Sequence, residues 1–172
     1  VGEYVLGRRI GAGGMGVVYE GTHRLLGRKA ALKFLRPDSG SEADLRSLLA
    51  EARTVTRIQH RGIIDIFAFG EVPGVGQYLV MELLQGESLD AAIAARAPMS
   101  PHEVLTILDE ALAALAAAHA EEVVHRDLKP SNIFLARESS GTCCVKLLDF
   151  GLAKRRVDGV SVGVVLVHVH DD

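Results

Sequence analysis

The first third of the chain alternates between short apolar stretches and turn residues. Residues 4–10, 16–21 and 29–35 are apolar runs separated by glycine and polar clusters, a pattern that predicts three antiparallel strands. Pro37 to Ser41 interrupts it, and residues 42–59 then carry Leu45, Leu48, Leu49, Ala52, Val55 and Ile58 at helical spacing. Two further apolar runs, 63–70 and 77–84, flank Val72-Pro73-Gly74-Val75-Gly76, which reads as a hairpin turn. The result is a unit of five strands and one helix. Gln85-Gly86-Glu87 reads as a short polar linker, and beyond it the composition turns alanine-rich. Residues 89–95 predict a short helix and 101–120 a longer one, with Pro101 suited to its first turn. The alanine run 113–118 signals helix propensity and close packing. The fold class expected is α+β.

Composition narrows the functional classes. A chain of 172 residues fits one domain, or one and a small part, and can bury a hydrophobic core. A net charge of -3 offers no polycation for nucleic acid. No apolar run approaches the roughly 20 residues needed to span a bilayer, and no signal segment opens the chain, so a soluble, cytoplasmic protein is expected. The first residue is Val1 rather than methionine, which implies sequence upstream. The cysteines, Cys143 and Cys144, are adjacent, excluding a disulfide framework or a C-x-x-C metal knuckle; two reduced thiols near a hairpin are expected.

Candidate chemistry concentrates in two motifs. His125-Arg126-Asp127-Leu128-Lys129-Pro130-Ser131-Asn132 and Asp149-Phe150-Gly151 supply a carboxylate able to take a hydroxyl proton, a lysine to neutralise phosphate charge, and an amide and second carboxylate suited to magnesium. Upstream, Gly11-Ala12-Gly13-Gly14-Met15-Gly16-Val17-Val18 fits G-x-G-x-x-G-x-V, whose glycines let backbone N–H groups approach phosphates. A dinucleotide fold uses similar glycines but follows them with a helix; here valines and Tyr19 continue as a strand, and Ala31-Leu32-Lys33 comes next.

With these motifs in this order, the chain resembles a eukaryotic-type (Hanks-type) serine/threonine protein kinase. The resemblance implies a small lobe of five antiparallel strands and one helix, residues 1–84, which binds ATP, and an incomplete helical large lobe, residues 85–154. It implies transfer of the ATP γ-phosphoryl group, with Mg2+, to a Ser or Thr hydroxyl of a protein substrate. Asp127 would be the catalytic base and Lys129 would steady the γ-phosphate, while Asn132 and Asp149 would hold magnesium. Ile10, Gly11, Ala12, Gly13, Gly14 and Gly16 would form the phosphate loop.

Lys33 would contact the α- and β-phosphates, positioned by Glu51 in the helix, although Glu51 also suits a surface pair with Arg53 or Arg57. Lys29 reads as a solvated strand lysine. Met81 stands as gatekeeper, with the backbone at Glu82 and Leu84 facing the adenine edge and Val18, Ala31 and Phe134 covering its faces. His125 reads as structural, packing beneath Phe150. Arg126, in this family, implies control through a phosphorylated activation loop.

The resemblance ends near Lys154, so residues 155–172 are expected to be a tail outside the family and the kinase to be truncated at its C-terminus. His168 and His170 with Asp171 suggest a metal site only weakly, for want of a third committed ligand. Leu105, Leu108, Leu112 and Leu115 are expected to be partly uncovered. The rival reading is a catalytically inactive fragment that binds only a nucleotide or a partner.

Overall fold

The computed structural model describes residues 1–13, 16–35, 52–53, 55–138 and 141–150. Five strands form an antiparallel sheet in the order β1-β2-β3-β5-β4: β1 (Tyr4–Gly13), β2 (Gly16–His23), β3 (Lys29–Leu35), β4 (Ile66–Val72) and β5 (Gly76–Met81). The expected hairpin at Val72 to Gly76 forms, closed by the Val75 N–H donating to the Val72 carbonyl at 3.0 Å. The expected helix 42–59 lies mostly outside the described residues; Ala52, Arg53 and Val55 are helical, and the Thr56 N–H donates to the Ala52 carbonyl at 3.0 Å.

Period-two geometry explains why β3 and β5 read as continuous apolar runs. Ala30 and Leu32 pack with Tyr78 and Val80 on one face of the sheet. Ala31, Leu79 and Met81 pack on the other, and Lys33 shares that inner face because it lies opposite Leu79 as Ala31 lies opposite Met81. Both faces are covered, so alternation is lost from the sequence.

Two expectations need correction. The run 63–70 is not one strand: Ile63 bridges to Leu147, and β4 begins only at Ile66. Gln85-Gly86-Glu87 is not a plain linker, because β6 (Gly86–Ser88) pairs with β7 (Ile133–Arg137), which pairs with β8 (Cys143–Leu147) in a second, three-stranded sheet. Strands of three and five residues are too short to show a period.

The helices are α1 (Leu89–Arg96) and α2 (Pro101–Ala120). Ser100 caps α2 by accepting from the Glu103 N–H at 3.2 Å, with Pro101 in the first turn as the sequence implies. One face of the alanine-rich stretch packs closely: Ala114 and Ala118 of the run, with Ala111 one turn earlier, are buried in one cluster with Ile63, Ile133, Val145 and Leu147. The opposite face of α2 is open, with Leu105 66%, Leu108 47% and Leu112 62% exposed, while Leu115 leans on the core. The thiols sit on the β7–β8 hairpin, Cys143 exposed and Cys144 buried, both free.

A third cluster joins the sheets. Ile10, Val18, Ala31, Leu79 and Met81 from the first pack with Phe134 and Ala136 from the second and with Leu148 just beyond β8. Among the described residues no helix is long and apolar enough to cross a membrane.

Gly86 tests the unforeseen strand. Its φ of 132° suits glycine, and an added Cβ would fall 2.1 Å from the Leu135 carbonyl oxygen. Gly74, also at positive φ (76°), faces open space. Gly86→Ala is expected to lower the urea midpoint by the equivalent of about 2–3 kcal/mol, and Gly74→Ala by about 1 kcal/mol. Equal losses would argue against the close approach of β6 to β7.

Candidate active site

The second sheet and its flanking turns carry one half of the site. A three-residue turn centred on Arg126, with φ of 60°, is closed by the Asp127 N–H donating to the His125 carbonyl at 2.8 Å. That turn is uncommon for a residue with a side chain and is held by its surroundings. The buried His125 ring donates from Nε2 to the Leu148 carbonyl at 2.9 Å and packs on Phe150 with ring centroids 4.6 Å apart. His125 is therefore structural, as its sequence context suggests. Its other nitrogen, Nδ1, accepts from the Asp127 N–H at 3.4 Å, an arrangement that suits a neutral imidazole.

Asp127 is clasped from below and from the side. Asn132 Nδ2 donates to the Asp127 carbonyl at 2.8 Å and to Asp127 Oδ2 at 3.1 Å, and Lys129 Nζ lies 3.0 Å from the same Oδ2. Asn132 itself is fully buried at the end of a single 3-10 turn, Pro130–Asn132, and its carbonyl accepts from the Leu148 N–H at 2.9 Å. Asn132 Oδ1 is the one side-chain oxygen or nitrogen among the described residues that is buried and has no partner. A buried amide oxygen left in that condition is costly unless something occupies it. An oxygen-preferring divalent cation satisfies it, with carboxylate help.

The carboxylate is Asp149, held at φ of 50° just beyond β8. Asp149 Oδ1 lies 2.7 Å from Lys33 Nζ, a pair separated by 116 positions in sequence, and the Lys33 side chain is only 4% exposed. Sequence reasoning assigned Lys33 to phosphate with Glu51 as its acidic partner, and gave Asp149 to metal alone. Glu51 and Gly14 lie outside the described residues, as do His168 and His170; the direct pairing of Lys33 with Asp149 carries no local sequence signal. Among the described residues no group of three or more His, Cys, Asp or Glu side chains is placed to hold a metal ion.

The remaining candidates converge between the sheets. Gly11, Ala12 and Gly13 pair with Val18, Val17 and Gly16 in the β1–β2 hairpin. Ile10, Val18, Ala31, Met81 and Phe134 line one apolar cluster, with Leu84 against it. Glu82 donates its N–H to the Asp65 carbonyl at 3.0 Å. Lys29 is exposed and pairs with Glu20 at 2.8 Å, as a surface lysine should.

Comparison with known proteins follows the same lines. The protein kinase domain family matches residues 4–169. The chain belongs to the protein kinase family. The kinase chain is 43% identical over 154 residues to the serine/threonine-protein kinase Pkn1 of Myxococcus xanthus, covering 89% of this chain and 22% of that protein. It is 40% identical over 166 residues to PknA of Mycobacterium tuberculosis, covering 94% of this chain and 37% of PknA. The crystal structure of the Mycobacterium tuberculosis PknI kinase domain superposes with a TM-score of 0.76 at 30% identity, covering 88% of this chain and 61% of that one. This kinase chain thus spans well under half the length of those curated relatives. The family is one of ATP-dependent, magnesium-using enzymes.

His125 gives the site a pH signature. Burial is the main cause that holds its pKa below the usual 6.5, partly offset by the Leu148 carbonyl. The unfolded chain therefore takes up the proton first, so the stabilisation is complete above pH 6.5 and is lost as pH falls through the lower folded value. Denaturation midpoints of the wild type should drop as pH falls below about 6.5, and His125→Gln should flatten that slope. Parallel profiles for the two proteins would contradict the assignment.

Proposed function

We propose that this chain forms the nucleotide-binding and catalytic-loop portion of a serine/threonine protein kinase, which moves the γ-phosphoryl group of ATP to a serine or threonine hydroxyl of a protein. The observation that carries the reading is the convergence of Asp127, Lys129, Asn132, Lys33 and Asp149 from β3, the catalytic turn and the end of β8. Each supplies a charge or lone pair that phosphoryl transfer needs.

Asp127 takes the proton of the attacking hydroxyl as its oxygen bonds to the γ-phosphorus; the bond from that phosphorus to the β–γ bridging oxygen breaks, and ADP leaves. Asn132 Nδ2 and Lys129 Nζ fix the Asp127 carboxylate for that task, both on Oδ2. Lys129 also offers its ammonium to the γ-phosphate. Asn132 Oδ1 and Asp149 would hold Mg2+, which when bound offsets phosphate charge; the orphaned Asn132 oxygen supports the fit.

Lys33 gives the α- and β-phosphates a cation already buried at the site. The hairpin residues Gly11, Ala12, Gly13 and Gly16, with Gly14, cover the phosphates through their N–H groups. Val18, Ala31, Met81 and Phe134 sandwich the adenine, whose edge meets the backbone at Glu82 and Leu84. Because the Glu82 N–H is engaged by Asp65, its carbonyl is the group it would offer the base.

Phosphate incorporation from ATP into a serine-rich protein, measured with the natural full-length protein, tests the assignment. Asp127→Asn should lower kcat by at least about a hundredfold while KM for ATP stays within a few fold. Equal incorporation by the two proteins would remove Asp127 from the chemistry.

A further inference from the structure

Lys146 is a charged residue that the proposed reaction does not use, yet its ammonium is held between groups of two separate segments. Its Nζ lies 2.6 Å from Glu82 Oε1 and donates to the Ile63 carbonyl at 3.4 Å. Glu82 Oε1 also accepts from the Asp65 N–H at 2.9 Å, and the Glu82 N–H returns to the Asp65 carbonyl at 3.0 Å. Both side chains are largely withdrawn from water, Lys146 to 12% exposure and Glu82 to 20%. A short pair in that setting is stronger and more orienting than one at the surface.

The position of Lys146 in its own strand matters equally. It is the cross-strand partner of Phe134, so the two side chains share one face of the second sheet. Phe134 forms the floor of the inter-sheet apolar cluster, and Glu82 begins the segment that follows β5 at its rim. Lys146 therefore stands beside the floor and grips the rim. Of the segment that would meet the base edge, it holds the first residue by its side chain while Asp65 holds the same residue by its backbone.

We propose that Lys146 is a positioning residue for the purine base: through Glu82 it fixes the backbone edge on which the base is recognised, and it does so without touching the nucleotide. The proposal rests on the reading of Glu82 as part of that edge. Losing the ammonium frees the Glu82 carboxylate to turn toward water and loosens the segment, while the phosphate-side groups Lys33 and Asp149 keep their own contact.

Calorimetric titration separates this role from simple stabilisation. Lys146→Met, which keeps the stem and removes the charge, should weaken Mg-ADP binding by about tenfold and leave Mg-pyrophosphate binding within about twofold. In turnover the loss should fall in KM for ATP. Lys146→Arg, which restores the cation, should recover most of the affinity. Glu82→Gln keeps an acceptor for the Asp65 N–H and should show the same base-dependent loss, with no further loss when combined with Lys146→Met.

Equal weakening of both ligands, or unchanged Mg-ADP affinity with a lowered melting temperature, would reduce Lys146 to a structural lysine and overturn the proposal. A wild-type protein that binds Mg-ADP with this Lys146 dependence but transfers no phosphate would contradict the activity assigned above and leave the role of Lys146 standing.

Discussion

The contact between Lys33 and Asp149 is the constraint on which the rest of the molecule turns. It takes a cation from the middle of the first sheet and an anion from just beyond the second, and joins them at 2.7 Å, with Lys33 4% and Asp149 16% exposed. Neither charge is tolerable there alone. For the pair to exist, β3 must put Lys33 on its inner face, and β8 must end where Asp149 can reach it. The same contact prepares the proposed chemistry. A polyphosphate can replace the carboxylate at Lys33 and a divalent cation can replace the ammonium at Asp149, so binding exchanges one compensated arrangement for another.

Packing keeps the second partner in place. The alanine face of α2 lets the helix lie close on β7 and β8, where Leu147 is wholly buried. Leu148 then ties the strand end to the catalytic turn twice, its N–H to the Asn132 carbonyl and its carbonyl to His125 Nε2. Those bonds hold two residues, Arg126 and Asp149, in left-handed backbone conformations at 60° and 50°. Such conformations cost about 1–3 kcal/mol each and survive only where the surroundings over-determine them. Here Arg126 adjoins Asp127, and Asp149 is itself a group that the reaction would use.

Much of this was legible in the sequence because it was local. The first three strands, the β4–β5 turn, the start of α2 at Ser100 and Pro101, and the order of the glycine loop, lysine and catalytic motifs each depend on neighbours within a few residues. What escaped depends on contacts across the chain. Gln85 to Glu87 reads as a linker because a strand of three residues carries no period, and Gly86–Ser88 becomes a strand only when β7 supplies its partner. Ile63 and Ile64 look continuous with β4 because they are apolar, although their hydrogen-bonding partners lie around Leu147 in the other sheet. Lys146 resembles any strand lysine until Glu82 is brought to it, and Lys33 shows no preference for Asp149 over another acid. Resemblance to a family supplied roles for Asp127, Asn132 and Asp149; local patterning alone would have left them as a polar turn and a strand end.

A double-mutant cycle on unfolding in the absence of nucleotide tests the central contact most directly. Lys33→Met and Asp149→Asn should each destabilise by about 1–3 kcal/mol, less than for a fully enclosed pair because Asp149 retains some solvent. The double variant should lose at least about 1 kcal/mol less than the sum of the two. Strict additivity, within about 0.3 kcal/mol, would contradict the account, because Lys33 and Asp149 would then be stabilised independently of each other.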